Sequence, residues 1–216
     1  MRFLRFIVFS CLTIMTLVIF VVFFPCEHIV PPKKIQVQNH FSTWAQLFYS
    51  WALSQVDVVK QYDFTNWYYS GSWYPPYDTW VCSDVIWRAF KDNGIDFKKL
   101  LDEDMILNPS LYPNKFDSNI NFRRVKNIDA FLKRKSKVLT NEMISGNAEN
   151  LWKWQAGDIV IFDDIFPKRL WHIWIITDLR REDGVPYMID NHWYGVKISI
   201  TPLDWPTEIV GHYRYF

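Results

Sequence analysis

The 216-residue sequence has few cysteines, almost no net charge and no internal repeat. Cys11 and Cys26 belong to an apolar N-terminal segment, so Cys82 is the only thiol of the remaining chain. This excludes a disulfide framework within the main domain. The formal net charge is +1, and the lysines and arginines are scattered rather than clustered. A nucleic-acid-binding surface is therefore not expected.

Small residues are missing where a cleaved signal peptide or a processed lipoprotein would have them. Arg2 and Arg5 precede an uncharged apolar run over residues 6–24, which is long enough to cross a bilayer as a helix. The run ends in the bulky Phe23 and Phe24, and Pro25 separates it from Cys26. We therefore expect an uncleaved transmembrane anchor with its N-terminus inside and the domain outside the cytoplasm.

Three regions follow from this pattern. Residues 1–25 are predicted as the anchor, and residues 26–39 as a stalk because paired prolines favour extended chain. Residues 40–216 are predicted as one globular domain. The domain would face the cell envelope, with the bacterial membrane as a partner through the anchor.

Helices are predicted before strands. Residues 41–61 have apolar side chains at helical spacing, and the face expected to be buried consists of Trp44, Leu47, Phe48, Trp51, Ala52 and Val56. An aromatic loop is expected over residues 62–80. Short β-branched or aromatic runs dominate from residue 155 onward, which predicts an antiparallel sheet and an α+β fold. The further predicted helices span residues 82–94, 97–107 and 125–135, and the strands 158–162, 171–176, 186–190, 196–200 and 211–216.

Cys82 and His172 are the residues with the clearest chemistry. Cys82 lies where a helix is expected to begin, and the unpaired N–H groups and helix dipole there favour a thiolate, which predicts a lowered cysteine pKa. His172 lies on a predicted strand, and an imidazole near a thiol can accept its proton. Together they indicate a cysteine nucleophile, although an isolated cysteine is more often an ordinary buried residue.

The predicted order is a cysteine on a helix, followed by strands of which the second carries a histidine. In this order the chain resembles the papain-like NlpC-type cysteine peptidases and amidases of bacterial cell walls, and within them the YijF-like family known as domain of unknown function 1287. The resemblance covers most of the domain. It rests on segments that include YD at 62–63, VCSDVIWRA around Cys82, GIDFKKLLDEDM, NINFRRVKNIDAF, WQAGDIVIFD, HIWIITD and the terminal GHYRY.

The resemblance implies three catalytic positions. Cys82 matches the nucleophile, His172 the general base, and Asp190 the polar residue that orients the imidazole. The chain has Asp190-Asn191 where the family usually has His-Asn, and Val81 where it usually has glycine. His192 is an alternative third residue, because it shares a strand face with Asp190 if the strand continues.

Substrate contacts are expected around these positions. Trp80, Trp171 and Trp193 are neighbours of the three catalytic positions, and Asn191 and His192 follow Asp190.

Arg124 belongs to an arginine pair that could bind either a substrate carboxylate or Asp84, which itself is expected to be structural.

The predicted function is a membrane-anchored, extracytoplasmic cysteine hydrolase that cleaves an amide bond without a cofactor, and the resemblance implies that this bond lies in peptidoglycan stem peptides. A non-catalytic module that binds envelope glycan or peptide, and an acyltransferase that uses the same thioester, remain alternatives. A zinc site made by Cys82, His172, Asp190 and His192 is conceivable, but the sequence has no ligand-spacing motif that indicates one.

Overall fold

Polar caps set the starts of several helices in the computed structural model, which describes residues 42–62, 79–163, 171–192 and 194–216. The Ser42 side chain accepts a hydrogen bond from Ala45 N at 3.1 Å, and Asp96 accepts one from Lys99 N at 3.0 Å. Within the described residues the helices are α1 (Thr43–Leu53), α2 (Asp84–Asp92), α3 (Phe97–Leu107), α4 (Val125–Lys135) and α5 (Ala148–Leu151), with short 3-10 turns at Pro109–Leu111 and Asn121–Arg123.

The strands form one antiparallel sheet and a small parallel pair. In the described part of the chain, the strands are β1 (Gln61–Tyr62), β2 (Thr79–Trp80), β3 (Lys137–Val138), β4 (Ile159–Phe162), β5 (His172–Arg180), β6 (Pro186–His192), β7 (Gly195–Ile198) and β8 (Ile209–Arg214). The sheet has six of these described strands in the order β3-β8-β4-β5-β6-β7, while β1 pairs with β2.

Apolar side chains cover both faces of the central strands. On the helical face, Ile173 and Ile175 of β5 pack in one core with side chains of the helices. On the opposite face, Trp174 and Ile176 pack in a second core with Leu151 and other residues of the connecting segments. The sheet is therefore buried on both sides, and its strands read as continuous apolar runs.

A buried polar cluster fastens the last strand to β4. Asp158 accepts hydrogen bonds from Arg214 Nε at 2.7 Å and Nη2 at 2.8 Å, and lies 3.0 Å from His212 Nε2. His212 Nδ1 lies 2.7 Å from the Thr140 carbonyl oxygen, and the imidazole stacks on Trp154 with ring centroids 3.8 Å apart. These contacts give the WQAGD and GHYRY segments a structural role.

The α+β class with an antiparallel sheet is confirmed. The helices at 97–107 and 125–135 have the predicted bounds, β5 and β6 run beyond theirs, and β3 and α5 were not predicted. The predicted anchor, the stalk and most of the aromatic loop lie outside the described residues. Among the described residues, no helix is both long and apolar enough to span a bilayer.

The predicted buried face of α1 is confirmed for Phe48 and Ala52 and wrong for three other residues. Trp44, Leu47 and Trp51 are exposed, because the core takes a neighbouring strip of the same helix. That strip consists of Ala45, Phe48, Tyr49 and Ala52.

Gly195 permits a close backbone approach at the start of β7. It has φ +87°, and a Cβ there would lie 1.9 Å from the Val59 carbonyl oxygen, to which Val196 N donates at 3.0 Å. We expect Gly195→Ala to lower the free energy of unfolding by about 3 kcal/mol or more. Gly146→Ala is the control: its φ is +72° but nothing lies near its Cβ, so it should lose only about 1 kcal/mol. Urea unfolding measures both, and equal losses would contradict the clash.

Candidate active site

Cys82 lies in the turn between β2 and α2, just before the helix rather than inside it. Val81 anchors this turn, because its carbonyl oxygen accepts hydrogen bonds from Asp84 N and from Asn191 Nδ2, both at 3.0 Å. Asn191 is fully buried and belongs to β6. It therefore clamps the cysteine turn to the sheet, while its contact with substrate stays a prediction.

The Cys82 thiol lies against the backbone at the start of β5. Its Sγ is 4.0 Å from the Trp171 carbonyl oxygen and accepts a hydrogen bond from Ile173 N–H. The Tyr62 hydroxyl and the Ser83 N–H also donate to it. These contacts place the sulfur beside the main chain that carries His172. The side chain is only 5% exposed, so a large substrate has no open path to the sulfur in this conformation.

Burial dominates the acidity of the thiol. It raises the pKa of Cys82 to about 11, and the negative charge of Asp84 adds to the rise, while the donors from Tyr62, Ile173 and Ser83 oppose it. The expected lowering of the cysteine pKa is therefore wrong for this state, because the loss of hydration destabilises the thiolate more than the nearby hydrogen-bond donors stabilise it. Cys82 is a neutral thiol at rest.

Asp84 is the structural centre of the turn. Its carboxylate accepts hydrogen bonds from Val81 N at 3.0 Å, from Trp87 Nε1 at 2.7 Å, and from Arg123 Nε and Nη2, both at 2.9 Å. Asp84 and Arg123 are both buried. The Arg123 member of the arginine pair thus binds an internal carboxylate.

His172 projects from the face of β5 that is opposite to the helical face. It pairs with Phe162 across the β4–β5 ladder, and its ring centroid lies 5.8 Å from Trp174 and 5.2 Å from Trp205. Neighbouring Ile173 packs in the same core as Cys82. Because side chains alternate along a strand, the structure brings the thiol to the backbone of His172 while the imidazole packs among tryptophans.

Asp190 contacts a different histidine from the one predicted. Strand β6 continues to His192, and the Asp190 carboxylate lies in contact with His192 Nδ1. Burial raises the pKa of Asp190, and the contacts with His192 and Ser199 oppose this rise. The His192 ring lies 6.2 Å from Trp174 and 6.0 Å from Trp205, so both histidines border the same two indoles.

The tryptophans that were predicted to contact substrate have different surroundings. Trp80 is 2% exposed and the Arg88 guanidinium lies 3.7 Å from its ring centroid, so it packs in the core instead of offering a face to substrate. Trp171 is half-buried beside the sulfur, with Lys126 Nζ 4.8 Å from its ring centroid. Trp193 lies outside the described residues.

Arg124 precedes α4 and is half-buried, and its guanidinium donates to the Lys115 carbonyl oxygen at 3.1 Å. The Ser83 hydroxyl donates to the carbonyl of adjacent Arg123 at 2.9 Å, which brings this segment to the cysteine turn. For the described part of the chain, no group of three or more cysteine, histidine or acidic side chains has the geometry to hold a metal ion.

Tyr62 is a site residue that the sequence reasoning left without a role. It lies in β1 beside β2, and the parallel pairing Tyr62 with Trp80 places its phenol near the cysteine turn. Burial raises the pKa of Tyr62 well above its usual value, so the hydroxyl keeps its proton and donates to sulfur. Its position in the YD segment of the resemblance was the available signal.

Comparison with known proteins identifies relatives but no activity. Residues 50–215 match the family model described as domain of unknown function DUF1287. The chain is 32% identical over 200 residues to the uncharacterized protein YijF of Escherichia coli strain K12, which covers 87% of this chain and 88% of that protein. No solved structure matches the chain. The YijF-like family is therefore the one that the sequence resembles.

The raised thiol pKa predicts slow alkylation of Cys82. In the folded protein, the rate with iodoacetamide should rise with pH toward a midpoint near 11. At pH 8 it should be on the order of 100-fold slower than for the same thiol in urea, where the pKa returns to about 8.5. Mass spectrometry of the Cys82 peptide separates it from Cys11 and Cys26. A midpoint below pH 9 in the folded protein would contradict the buried, neutral thiol.

Removal of the Tyr62 hydroxyl should make the thiolate still less favourable. We expect Tyr62→Phe to slow Cys82 alkylation at fixed pH by roughly three- to tenfold, the effect of one lost hydrogen bond. Tyr112→Phe is a matched control, because the Tyr112 hydroxyl donates to Asp104 instead. An unchanged rate in Tyr62→Phe, or an equal fall in both variants, would remove Tyr62 from the site.

Proposed function

The chain belongs to the DUF1287 family, and from this premise we propose that it is a cysteine hydrolase that cleaves an amide bond, with Cys82 as its nucleophile. The observation that carries the proposal is the position of the Cys82 sulfur against the backbone on both sides of His172. Asp190 and His192 end the neighbouring strand of the same sheet. A thiol, an imidazole that acts as base and a carboxylate that orients an imidazole are groups that serve thioester chemistry.

The reaction begins from a neutral thiol. As sulfur attacks the amide carbonyl carbon, the thiol proton passes to the His172 imidazole, so a free thiolate is never required. The Tyr62 hydroxyl and a backbone N–H in the cysteine turn stabilise the oxyanion. The imidazolium then returns the proton to the leaving amine, and water hydrolyses the thioester to regenerate the thiol.

Two movements accompany this mechanism. Substrate must open a path to the buried sulfur, and the backbone at the start of β5 must rearrange so that the His172 side chain leaves Trp174 and Trp205 and reaches the thiol. His172 is the first residue of β5, so this change leaves the rest of the strand in place. Water exclusion before the substrate arrives also protects the thiol from oxidation.

The substrate class and the location extend the proposal. We propose a papain-like NlpC-type fold, supported by a thiol just before a helix that packs on an antiparallel sheet with histidine on a strand. Peptidoglycan stem peptides are the proposed substrate. The uncharged run over residues 6–24, preceded by Arg2 and Arg5, supports a membrane anchor with the domain outside the cytoplasm.

One observation favours a second candidate, a binding module without turnover. The same burial that raises the pKa of Cys82 to about 11 also suits a structural cysteine. Such a module would bind envelope glycan or peptide and release no product.

Muropeptide release distinguishes the two candidates. The full chain in detergent is incubated with purified peptidoglycan, and products are identified by mass spectrometry. We expect amide cleavage by the wild type, complete loss in Cys82→Ala, and a loss of 100-fold or more in His172→Ala. His192→Ala should cost less, since His192 pairs with Asp190.

Cys26→Ala is the control for cysteine removal and should keep full activity. Retained activity in Cys82→Ala would overturn the hydrolase. Binding of peptidoglycan without any product would favour the binding module instead. Products that carry an added alcohol or amine, rather than water, would identify an acyltransferase.

A further inference from the structure

Helix α1 presents an apolar stripe that the core does not use. Trp44, Leu47 and Trp51 are 56%, 42% and 40% exposed. Their spacing of three and four residues places them on one side of the helix. Two indoles and a leucine in a row form a patch that a water-facing helix ordinarily avoids.

The rest of α1 is also free of charge. The segment Thr43–Leu53 contains no acidic or basic residue. Its remaining exposed positions are the uncharged polar residues Thr43, Gln46 and Ser50. The hydroxyls of Ser50 and of the C-cap residue Ser54 donate to carbonyls one turn back at 2.8 Å and 2.7 Å. No charged side chain of this helix would have to lose its water if the stripe entered an apolar medium.

The sequence before α1 indicates which medium this is. The helix begins at Thr43, and the proposed anchor run ends at residue 24. The chain between them is short, and even fully extended it spans only about 60 Å. A helix with exposed tryptophans on a tether of this length is able to reach the bilayer surface, where tryptophan is the favoured residue.

We propose that Trp44, Leu47 and Trp51 insert into the interfacial region of the membrane and dock the domain on it. This inference rests on the membrane anchor of the proposed function. The anchor fixes the domain to the membrane at one point, and the stripe adds a second contact that fixes its orientation. Apolar burial supplies the free energy, since α1 has no charge to attract lipid headgroups.

Fluorescence quenching by brominated lipid tests this directly, because the first tryptophan of the sequence is Trp44 and the anchor region contains none. The full chain is reconstituted into vesicles of phosphatidylethanolamine and phosphatidylglycerol, with and without dibrominated acyl chains. We expect brominated lipid to quench part of the wild-type emission. The variant Trp44→Phe/Trp51→Phe should lose most of that quenching.

Trp152→Phe is the matched control. Trp152 is 54% exposed but follows α5 and lies beside Glu182 and Asp183, so its removal should leave the quenched fraction unchanged. Both variants should keep the wild-type melting temperature, since they change exposed indoles only.

Each other outcome overturns the inference. Equal quenching in the double variant and the wild type would show that other tryptophans meet the lipid. Flotation of the wild type with the vesicles but no quenching would refute the docking and leave the anchor intact. Failure to float would refute the anchor itself, and the docking with it. A double variant that is monomeric where the wild type is dimeric, without quenching, would assign the stripe to a second copy.

Discussion

The carboxylate of Asp84 is the interaction on which the candidate site depends. It accepts hydrogen bonds from Val81 N, the Trp87 indole and the Arg123 guanidinium, all in the buried interior. Loss of either Asp84 or Arg123 would leave the other as an unpaired buried charge, which costs about 3 to 5 kcal/mol. The Asp84 carboxylate therefore ties the cysteine turn to its own helix through Trp87 and to the segment before α4 through Arg123. Its negative charge also raises the pKa of Cys82.

The same arrangement sets a conflict between stability and reactivity. Burial holds Cys82 neutral, whereas attack on a carbonyl needs sulfur that gives up its proton. Donors from Tyr62, Ile173 and Ser83 reduce the cost of negative charge on sulfur, and a base that moves toward it removes the proton during attack. In the proposed hydrolase, substrate entry and rearrangement of the start of β5 at His172 thus couple access to activation.

Sequence patterns predicted the elements better than their faces. The period of residues 41–61 predicted α1, but its apolar arc is wider than the strip that the core covers, so it could not show that Trp44 and Trp51 stay exposed. Strand β5 is apolar on both faces, so its sequence has no alternation that would show where His172 points. The thiol pKa depends on burial, a tertiary property, and the helix-start argument could not include it. The sequence predicted Asn191 as a residue of the site, but its hydrogen bond to the Val81 carbonyl oxygen joins segments 110 residues apart and could be known only from the fold.

Trapping of the acyl-enzyme tests the central claim, that Cys82 is a nucleophile served by His172, most directly. The full chain is mixed with a stem peptide, quenched with acid within the first turnover, and the Cys82 peptide is weighed by mass spectrometry. The account predicts an acyl group in thioester linkage on Cys82 in the wild type and a much smaller amount in His172→Ala. Hydrolysis of the peptide with Cys82 unmodified at every time point, and undiminished in Cys82→Ala, would contradict it.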